Sequence, residues 1–497
     1  MQSHEDLILR PVGRHARQFP DRLALIQNEA PLFSYRQLEE FLRQSAAWWQ
    51  AHTARTLLYL PHGAGKAAQI LTLLSHGVPG LAISVRTPAR EILRLAREFS
   101  ATQILTTRFL AQKIFADASE FLAAPQTPCH AINEIGLIRL STASPPKSAP
   151  WHLVTSGSSG APKAVLLSLA NLIERTRGEI ALLEITPGRR IVNALSFAHD
   201  LGFNQLLTAV HAGATLQVLS APLPADLWHV LDSGQTHAIT GTPLLWTSLI
   251  QLGVGPNQHP GYLTVSGGSF SPVQLEKLRQ VFPQARIVKT YGQTETFRTF
   301  SETHQGRVLG DSAGHTVPGV TAVIVDDELK TCAVGEVGQI LHFGAGGFDG
   351  YLDDLELSQT KWVHGNQLVP ARADLGLGIR TGDYARVLPD GEVAFQGRRD
   401  DLVKRHDHRV YLSEIRQHLL RSNLALDAYV LPVQDHLIAW LQPLNGATLA
   451  DIKKYIKTHL APHQAPDEIH LVDQFPRTFS DKIDPGQLVT MGGSACV

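Results

Sequence analysis

The stretch VTSGSSGAPKAV, residues 154–165, interrupts two apolar runs with an unbroken series of hydroxyl and glycine residues, then Pro162 and Lys163. Its polar density is too high for a core. Gly157, Gly160 and Pro162 would each break a helix interior. Successive backbone N–H groups in a Gly/Ser turn form a concavity that binds phosphate oxygens. Thr155, Ser156, Ser158 and Ser159 add hydroxyls, and Lys163 adds a point charge. A Walker loop requires G-x-x-x-x-G-K-[ST] opening a helix. Here Gly157 and Gly160 are too close together, and Lys163 lies between proline and alanine. On spacing alone two readings stand: a nucleotide-phosphate loop of another kind, or a plain Ser/Gly linker.

On the N-terminal side of this loop, helical and strand-like segments alternate. PHGAGKAAQILTLLSHG (61–77) reads as a loop and then an amphipathic helix ending at a glycine cap, with Leu71, Leu73 and Leu74 on its apolar side. VPGLAISV (78–85) reads as a short buried strand, TPAREILRLAREF (87–99) as a helix opened by Thr87 and Pro88, and ATQILTT (101–107) as another strand. The alternation resumes after the loop. LANLIERTRGEIALL (169–183) and NQLLTAVHAG (204–213) read as helices, RIVNALSF (190–197) and ATLQVLS (214–220) as strands. Such alternation argues for a mainly parallel α/β sheet. From about residue 308 short strands and turns take over, with LPDGEV (388–393) as a hairpin signal. A basic stretch, RRDDLVKRHDHRV (398–410), leads into a smaller α/β unit ending near 490, which places a boundary at about 398–402.

Bulk properties narrow the function classes. At 497 residues the chain should form about two to four domains. Its formal net charge of −1 gives no reason to expect nucleic acid or an anionic membrane as partner. Cys129, Cys332 and Cys496 are too few and too scattered for a disulfide framework or zinc site, so a reducing compartment, the cytoplasm, is expected. The opening MQSHEDLILRP does not read as a secretory leader. No apolar run approaches the ~20 residues of a membrane span.

Four further motifs follow the loop in order: YGQTET (291–296), RTGD (380–383), GRRDDLVKRHDHRVYLSEI (397–415) and PRTFSDKID (476–484). Together with TSGSSGAPK they resemble the adenylate-forming superfamily, which includes acyl- and aryl-CoA synthetases, amino-acid adenylation domains and luciferases. The likeness runs from about residue 5 to 490. It implies an α/β fold with a large N-terminal domain, residues 1–398, of mixed and largely parallel sheets plus a small β-barrel-like portion. A small, mobile α+β domain, residues 399–497, would follow. It also implies a reaction in which a carboxylate and ATP give an acyl-adenylate and pyrophosphate. The acyl group then passes to the phosphopantetheine thiol of CoA or of a carrier protein.

The resemblance assigns roles residue by residue. Thr155, Ser156, Gly157, Ser158, Ser159, Gly160 and Lys163 would cover the outer phosphates, and Thr294 would meet the α-phosphate. Glu295 would be a hard oxygen ligand for Mg²⁺. Tyr291, followed by Gly292, would stack on adenine, with Gly267 and Gly268 of SGGSF letting the ring lie against backbone. Asp383 would accept the ribose hydroxyls, with Arg398 and Arg409 near ribose or phosphate. Lys482 would reach across from the small domain during adenylation, and Asp400 would be the hinge. In NALSFAHDLGFNQLLTAVHAGATLQV (193–218), Asp200 falls where amino-acid-activating relatives bind the substrate ammonium. His199-Asp200 also resembles the His-Asp pair of fatty-acyl ligases.

Three positions depart from the family pattern. Asp481 precedes Lys482 where glycine is usual, Ala164 replaces a glycine after the loop, and Asp407 replaces a glycine lining the phosphopantetheine tunnel. A side chain at 407 would narrow that tunnel unless aspartate simply adopts the left-handed turn that glycine supplies. The leading expectation is a ligase acting on an amino acid or small acyl or aryl acid. A fatty-acyl ligase and a nucleotide-binding pseudoenzyme or regulator are the competing readings.

Overall fold

The computed structural model describes residues 3–115, 122–124, 134–140, 151–156, 162–221, 223–257, 261–268, 270, 272–304, 312–433, 436–444, 446–477 and 483–492. Two large sheets organise the first 350 residues. The nine-stranded sheet runs in the order His315–Thr316, Phe300–His304, Arg286–Tyr291, Tyr262–Val265, Ala238–Gly241, Arg190–Asn193, Thr215–Val218, Leu23–Gln27, Ala30–Ser34. Its six inner strands, from Arg286–Tyr291 to Leu23–Gln27, are parallel. The eight-stranded sheet has a parallel centre, Trp151–Ser156, Gly80–Ala82, Thr56–Tyr59 and Gln103–Thr107, with antiparallel strands on both flanks.

One cluster of buried side chains fills the space between these sheets. Leu25 and Leu216 come from the first sheet, Leu58, Ala82 and Val165 from the second, and most of the rest from helices. Every residue of the Ala64–Ser75 helix is buried. This corrects the amphipathic reading of that segment: the helix lies inside the fold and has no solvent face. The Asp200–Ala212 helix is nearly as deeply buried and stacks Phe203 on Trp151, with centroids 4.9 Å apart and planes 1° from parallel. Gly80 must be glycine beneath that indole, because a Cβ there would lie 2.4 Å from Trp151 Cζ3.

A third, antiparallel sheet of five strands follows: Val320–Val325, Val337–Gly344, Leu377–Val387, Trp362–His364 and Val393–Arg398. Its path is open and does not close into a barrel. The hairpin expected at LPDGEV joins its last two long strands through Gly391 at φ +84°. Beyond Arg398 lie a two-stranded hairpin, Leu402–Arg405 and His408–Tyr411, and a three-stranded sheet, Ala425–Val433, His436–Pro443 and Glu468–Leu471. The helices Leu412–Arg421 and Leu449–His459 share a core with these strands that includes Ile415, Leu419, Ala428, Leu441 and Ile452. Among the described residues no helix is long and apolar enough to cross a membrane.

Lys66 shows how the all-round burial of the Ala64–Ser75 helix is tolerated. Its ammonium, 2% exposed, donates to the carbonyls of Leu60 (3.2 Å) and Ile83 (2.7 Å), clipping the ends of two central strands to the helix. Burial pushes its pKa down to about 7. The unfolded chain therefore holds this proton more tightly than the folded one between about pH 7 and the ordinary lysine value. Stability rises with pH through that window, and the cost of burying the charge is constant below it. In urea unfolding, the wild type should gain stability relative to Lys66→Met from pH 7 to 9, with a slope approaching about 1.4 kcal/mol per pH unit. Parallel pH profiles for the two proteins would disprove this account of Lys66.

Candidate active site

The loop that opened the sequence reading joins two antiparallel strands, Trp151–Ser156 and Pro162–Leu167, with Thr155 opposite Lys163 and Ser156 opposite Pro162. Gly157, Ser158, Ser159 and Gly160 lie outside the described residues. Lys163 is partly exposed, and its ammonium sits 5.7 Å from the centre of the Tyr351 ring. Tyr351 belongs to the short strand Gly350–Tyr351, which pairs with the strand after the loop, and its hydroxyl donates to Glu295 Oε1 at 2.7 Å. The loop lysine and the YGQTET carboxylate therefore face one phenol from opposite chain segments.

YGQTET itself is a tight turn at the end of the Arg286–Tyr291 strand. Gln293 O accepts from Thr296 N (3.1 Å) and Phe297 N (2.6 Å), which leaves Thr294 and Glu295 partly exposed at the apex. Gly292 is obligatory, since a Cβ there would fall 1.6 Å from Phe297 O. Phe297 adopts a left-handed backbone, φ +58°, that is unfavourable for an aromatic residue. It is held between two guanidinium groups, Arg175 at 4.1 Å and Arg298 at 5.2 Å from its ring centre.

Asp383, 4% exposed on the Leu377–Val387 strand, sits behind this turn. It accepts from the Tyr291 hydroxyl (2.5 Å) and Gln293 Nε2 (2.7 Å), and faces Arg398 Nε at 3.2 Å. Burial raises its pKa, and these donors oppose the rise. Burial and the neighbouring Asp383 keep the Tyr291 phenol protonated well above its ordinary range. The Tyr291 ring packs against Phe300 and Phe395, each 5.7 Å away. Arg398, half exposed, ends the Val393–Arg398 strand. The turn Arg399–Asp401 follows, so Asp400 lies at the start of the C-terminal unit. Arg409 lies on the next hairpin, opposite Lys404.

His199 precedes the Asp200–Ala212 helix as its N-cap and is exposed. Asp200 opens the helix and caps it locally, its Oδ1 accepting from Leu201 N at 2.7 Å. The Gly267 turn lies against this helix start, with a Cβ position 3.8 Å from Leu201 Cδ1, and Gly268 is exposed beside Pro243. The structure thus joins Lys163, opposite Thr155 on its hairpin, to Glu295 through Tyr351, joins Tyr291 and Arg398 through Asp383, and sets the Gly267 turn against the helix that Asp200 opens. Lys482 and Asp481 lie outside the described residues. Asp407 takes φ +64° in the hairpin turn, and its 95%-exposed side chain pairs with Lys404 at 3.0 Å. Aspartate there supplies the left-handed turn and points its carboxylate at solvent.

Local sequence reasoning did not find the buried cluster that supports these loops. Arg298, 4% exposed, grips Glu179 through Nε–Oε2 at 2.6 Å and Nη2–Oε1 at 2.7 Å. Its Nη1 donates to Ser266 Oγ (3.1 Å) and Thr290 Oγ1 (2.5 Å). Arg175, one helical turn before Glu179, is also buried. Desolvation pushes its pKa down to about 10, against the charges of Asp200 and Glu179. The available signal was a charge set in TFRTF, where the pattern predicts a buried strand, together with the Arg175/Glu179 spacing of four.

Fold and site together bring the hairpin strand bearing Lys163, from one sheet, and the turn bearing Glu295, from the other, to the same Tyr351 side chain. A family model described as "AMP-binding enzyme" matches residues 12–352. The chain belongs to that family, within the adenylate-forming superfamily. It is 26% identical over 495 residues to a delta-poly-L-ornithine synthetase of Acinetobacter baumannii, covering 96% of this chain and 36% of that protein. It is 28% identical over 483 residues to tyrocidine synthase 2 of Brevibacillus parabrevis, covering 94% of this chain and 13% of that protein. The chain thus spans about a third or less of the length of these two relatives. The same fold occurs in the o-succinylbenzoate CoA synthetase of Bacillus subtilis, solved with its acyl-adenylate (TM-score 0.79, 20% identity, 96% and 97% of the two chains).

Arg298→Met should destabilise the protein by about 3–5 kcal/mol in urea unfolding, because it leaves Glu179 charged and unpaired in the interior. The double variant with Glu179→Leu should recover part of that loss. A single variant as stable as wild type would show that the pair holds nothing in place.

Proposed function

We propose that the chain activates a small carboxylic acid with ATP, forming an acyl-adenylate and pyrophosphate, and passes the acyl group to a phosphopantetheine thiol. The observation that carries this reading is that Lys163 and Glu295 both meet Tyr351, the lysine over its ring and the glutamate at its hydroxyl. A carboxylate oxygen attacks the α-phosphorus, the bond to the bridging β-oxygen breaks, and pyrophosphate leaves. Two anions meet in this step, so fixed positive charge and positioning carry most of the rate enhancement. In this reading the Thr155–Lys163 loop covers the outer phosphates and the Thr294 hydroxyl meets the α-phosphate. Lys482, from the unit beginning at about residue 399, then swings over the cleft about Asp400.

The donor set fits Mg²⁺. Among the described residues no group of three or more His, Cys, Asp or Glu could hold a metal on its own. A single hard carboxylate, Glu295, suits a cation that arrives on a triphosphate, since Mg²⁺ is commonly held by one or two carboxylates plus phosphate oxygens. The cation would neutralise phosphate charge there.

Asp383 in this reading receives the ribose. Tyr291 and Gln293 both donate to its Oδ2, while the buried Oδ1 faces Arg398 at ion-pair distance without accepting a hydrogen bond, so Oδ1 is the oxygen that receives a ribose hydroxyl in this reading. The acid is an amino acid or a small acyl or aryl acid, with a carrier protein or CoA as acceptor. Similarity to peptide and poly-amino-acid synthetases supports the amino acid and the carrier protein. The solvent-facing carboxylate of Asp407 removes the main argument for a blocked thiol tunnel.

Pyrophosphate exchange across a panel of amino, aryl and fatty acids tests the reading, and no exchange with any acid would defeat it. Lys482→Ala should lower acyl-adenylate formation about a hundredfold or more while sparing thioester formation from supplied acyl-adenylate. Equal loss of both half-reactions would reject its role. Asp200→Ala should selectively raise KM for an amino acid; a neutral effect with a fatty acid as best substrate would favour the fatty-acyl reading.

A further inference from the structure

We propose that Tyr351 is a positioning residue that keeps Lys163 and Glu295 from neutralising each other, so that each charge remains available to the nucleotide. The proposal rests on the adenylation reading above. Lys163 and Glu295 carry opposite charges on flexible stems, and both are partly exposed. Both engage Tyr351, the ammonium over the ring at 5.7 Å from its centre and the carboxylate accepting from its hydroxyl at 2.7 Å. The ring's face attracts the cation while its hydroxyl engages the anion. A direct Lys–Glu pair would spend both groups on each other.

Tyr351 is rigidly mounted for this task. It is 6% exposed, and its ring meets Phe348 edge-on at 4.9 Å. Its backbone N–H donates to Ser358 Oγ at 2.8 Å, and it pairs with Val165, two residues beyond Lys163. On the other side, Glu295 O accepts from Phe348 N at 2.8 Å, so the acidic turn is tied to the same short segment. One segment, Phe348–Tyr351, thereby sets the distance between the phosphate-loop strand and the acidic turn.

The test separates the ring from the hydroxyl. Wild type, Tyr351→Phe, Tyr351→Leu and Tyr351→Leu/Glu295→Gln are titrated calorimetrically with AMP and with ATP in EDTA. Mn²⁺ capture by each ATP complex is then read by electron paramagnetic resonance. Tyr351→Phe should bind AMP as wild type does and hold Mn²⁺ about tenfold more weakly, the scale of one hydrogen bond to a charged group. Tyr351→Leu should also bind metal-free ATP several-fold more weakly, because Lys163 turns to Glu295. Adding Glu295→Gln should restore that affinity. Unchanged Mn²⁺ affinity in Tyr351→Phe, or no restoration in the double variant, would overturn the proposal while leaving adenylation intact. A wild type that binds neither AMP nor ATP would overturn the adenylation reading and this proposal with it.

Discussion

The buried pair between Arg298 and Glu179 is the interaction on which the candidate site's geometry depends. Taking both charges out of water carries a desolvation cost that a single contact would not offset. Here Nη2 donates to Oε1, Nε lies at ion-pair distance from Oε2, and Nη1 donates to Ser266 and Thr290. Those hydroxyls stand at the ends of two adjacent parallel strands, Tyr262–Val265 and Arg286–Tyr291, from which the SGG turn and YGQTET project. Glu179 belongs to the Leu169–Leu182 helix, which follows the hairpin strand Pro162–Leu167. One guanidinium therefore fixes three segments that meet at the cleft. Its neighbour Phe297 sits in a left-handed conformation directly after the turn bearing Thr294 and Glu295.

Much of the fold was legible because its signals are local. The glycine stop at Gly213, the hairpin at Gly391 and the strand–helix alternation each depend on residues a few positions apart. The Ala64–Ser75 helix was misread for an equally local reason. Lys66, Gln69, Thr72 and Ser75 recur every three residues and imitate a solvated stripe. Inside the fold three of them find their own acceptors: Lys66 two strand-end carbonyls, Thr72 the Ala68 carbonyl and Ser75 the Thr72 carbonyl. Polar spacing alone does not distinguish water from a buried carbonyl as partner.

The site divides in the same way. Ordered motifs name Lys163, Glu295, Tyr291 and Asp383, because each stands in a short run of recognisable residue types. The residues that hold them, Glu179, Arg298, Tyr351 and Gln293, act across long sequence separations. Glu179 meets Arg298 at a separation of 119, Gln293 meets Asp383 at 90, and Glu295 meets Tyr351 at 56. No local period encodes such pairs, and each partner read singly looks like a solvated charge or a core aromatic.

Arg398 shows how closely the site and the start of the C-terminal unit are joined. It pairs with Asp383 and immediately precedes the Arg399–Asp401 turn. Gly397, beside it, leaves no room for a side chain: a Cβ would lie 2.4 Å from Ser413 Oγ, and that hydroxyl donates to Gln396 O at 3.1 Å. The strand end that supplies Arg398 to Asp383 is thus also the strand end on which the Leu412–Arg421 helix rests. The Asp383 oxygen facing Arg398 is buried and accepts no hydrogen bond, and the guanidinium beside it hangs from the last residue before the connecting turn. The surroundings of Asp383 and the footing of the Leu412–Arg421 helix therefore share the same few residues.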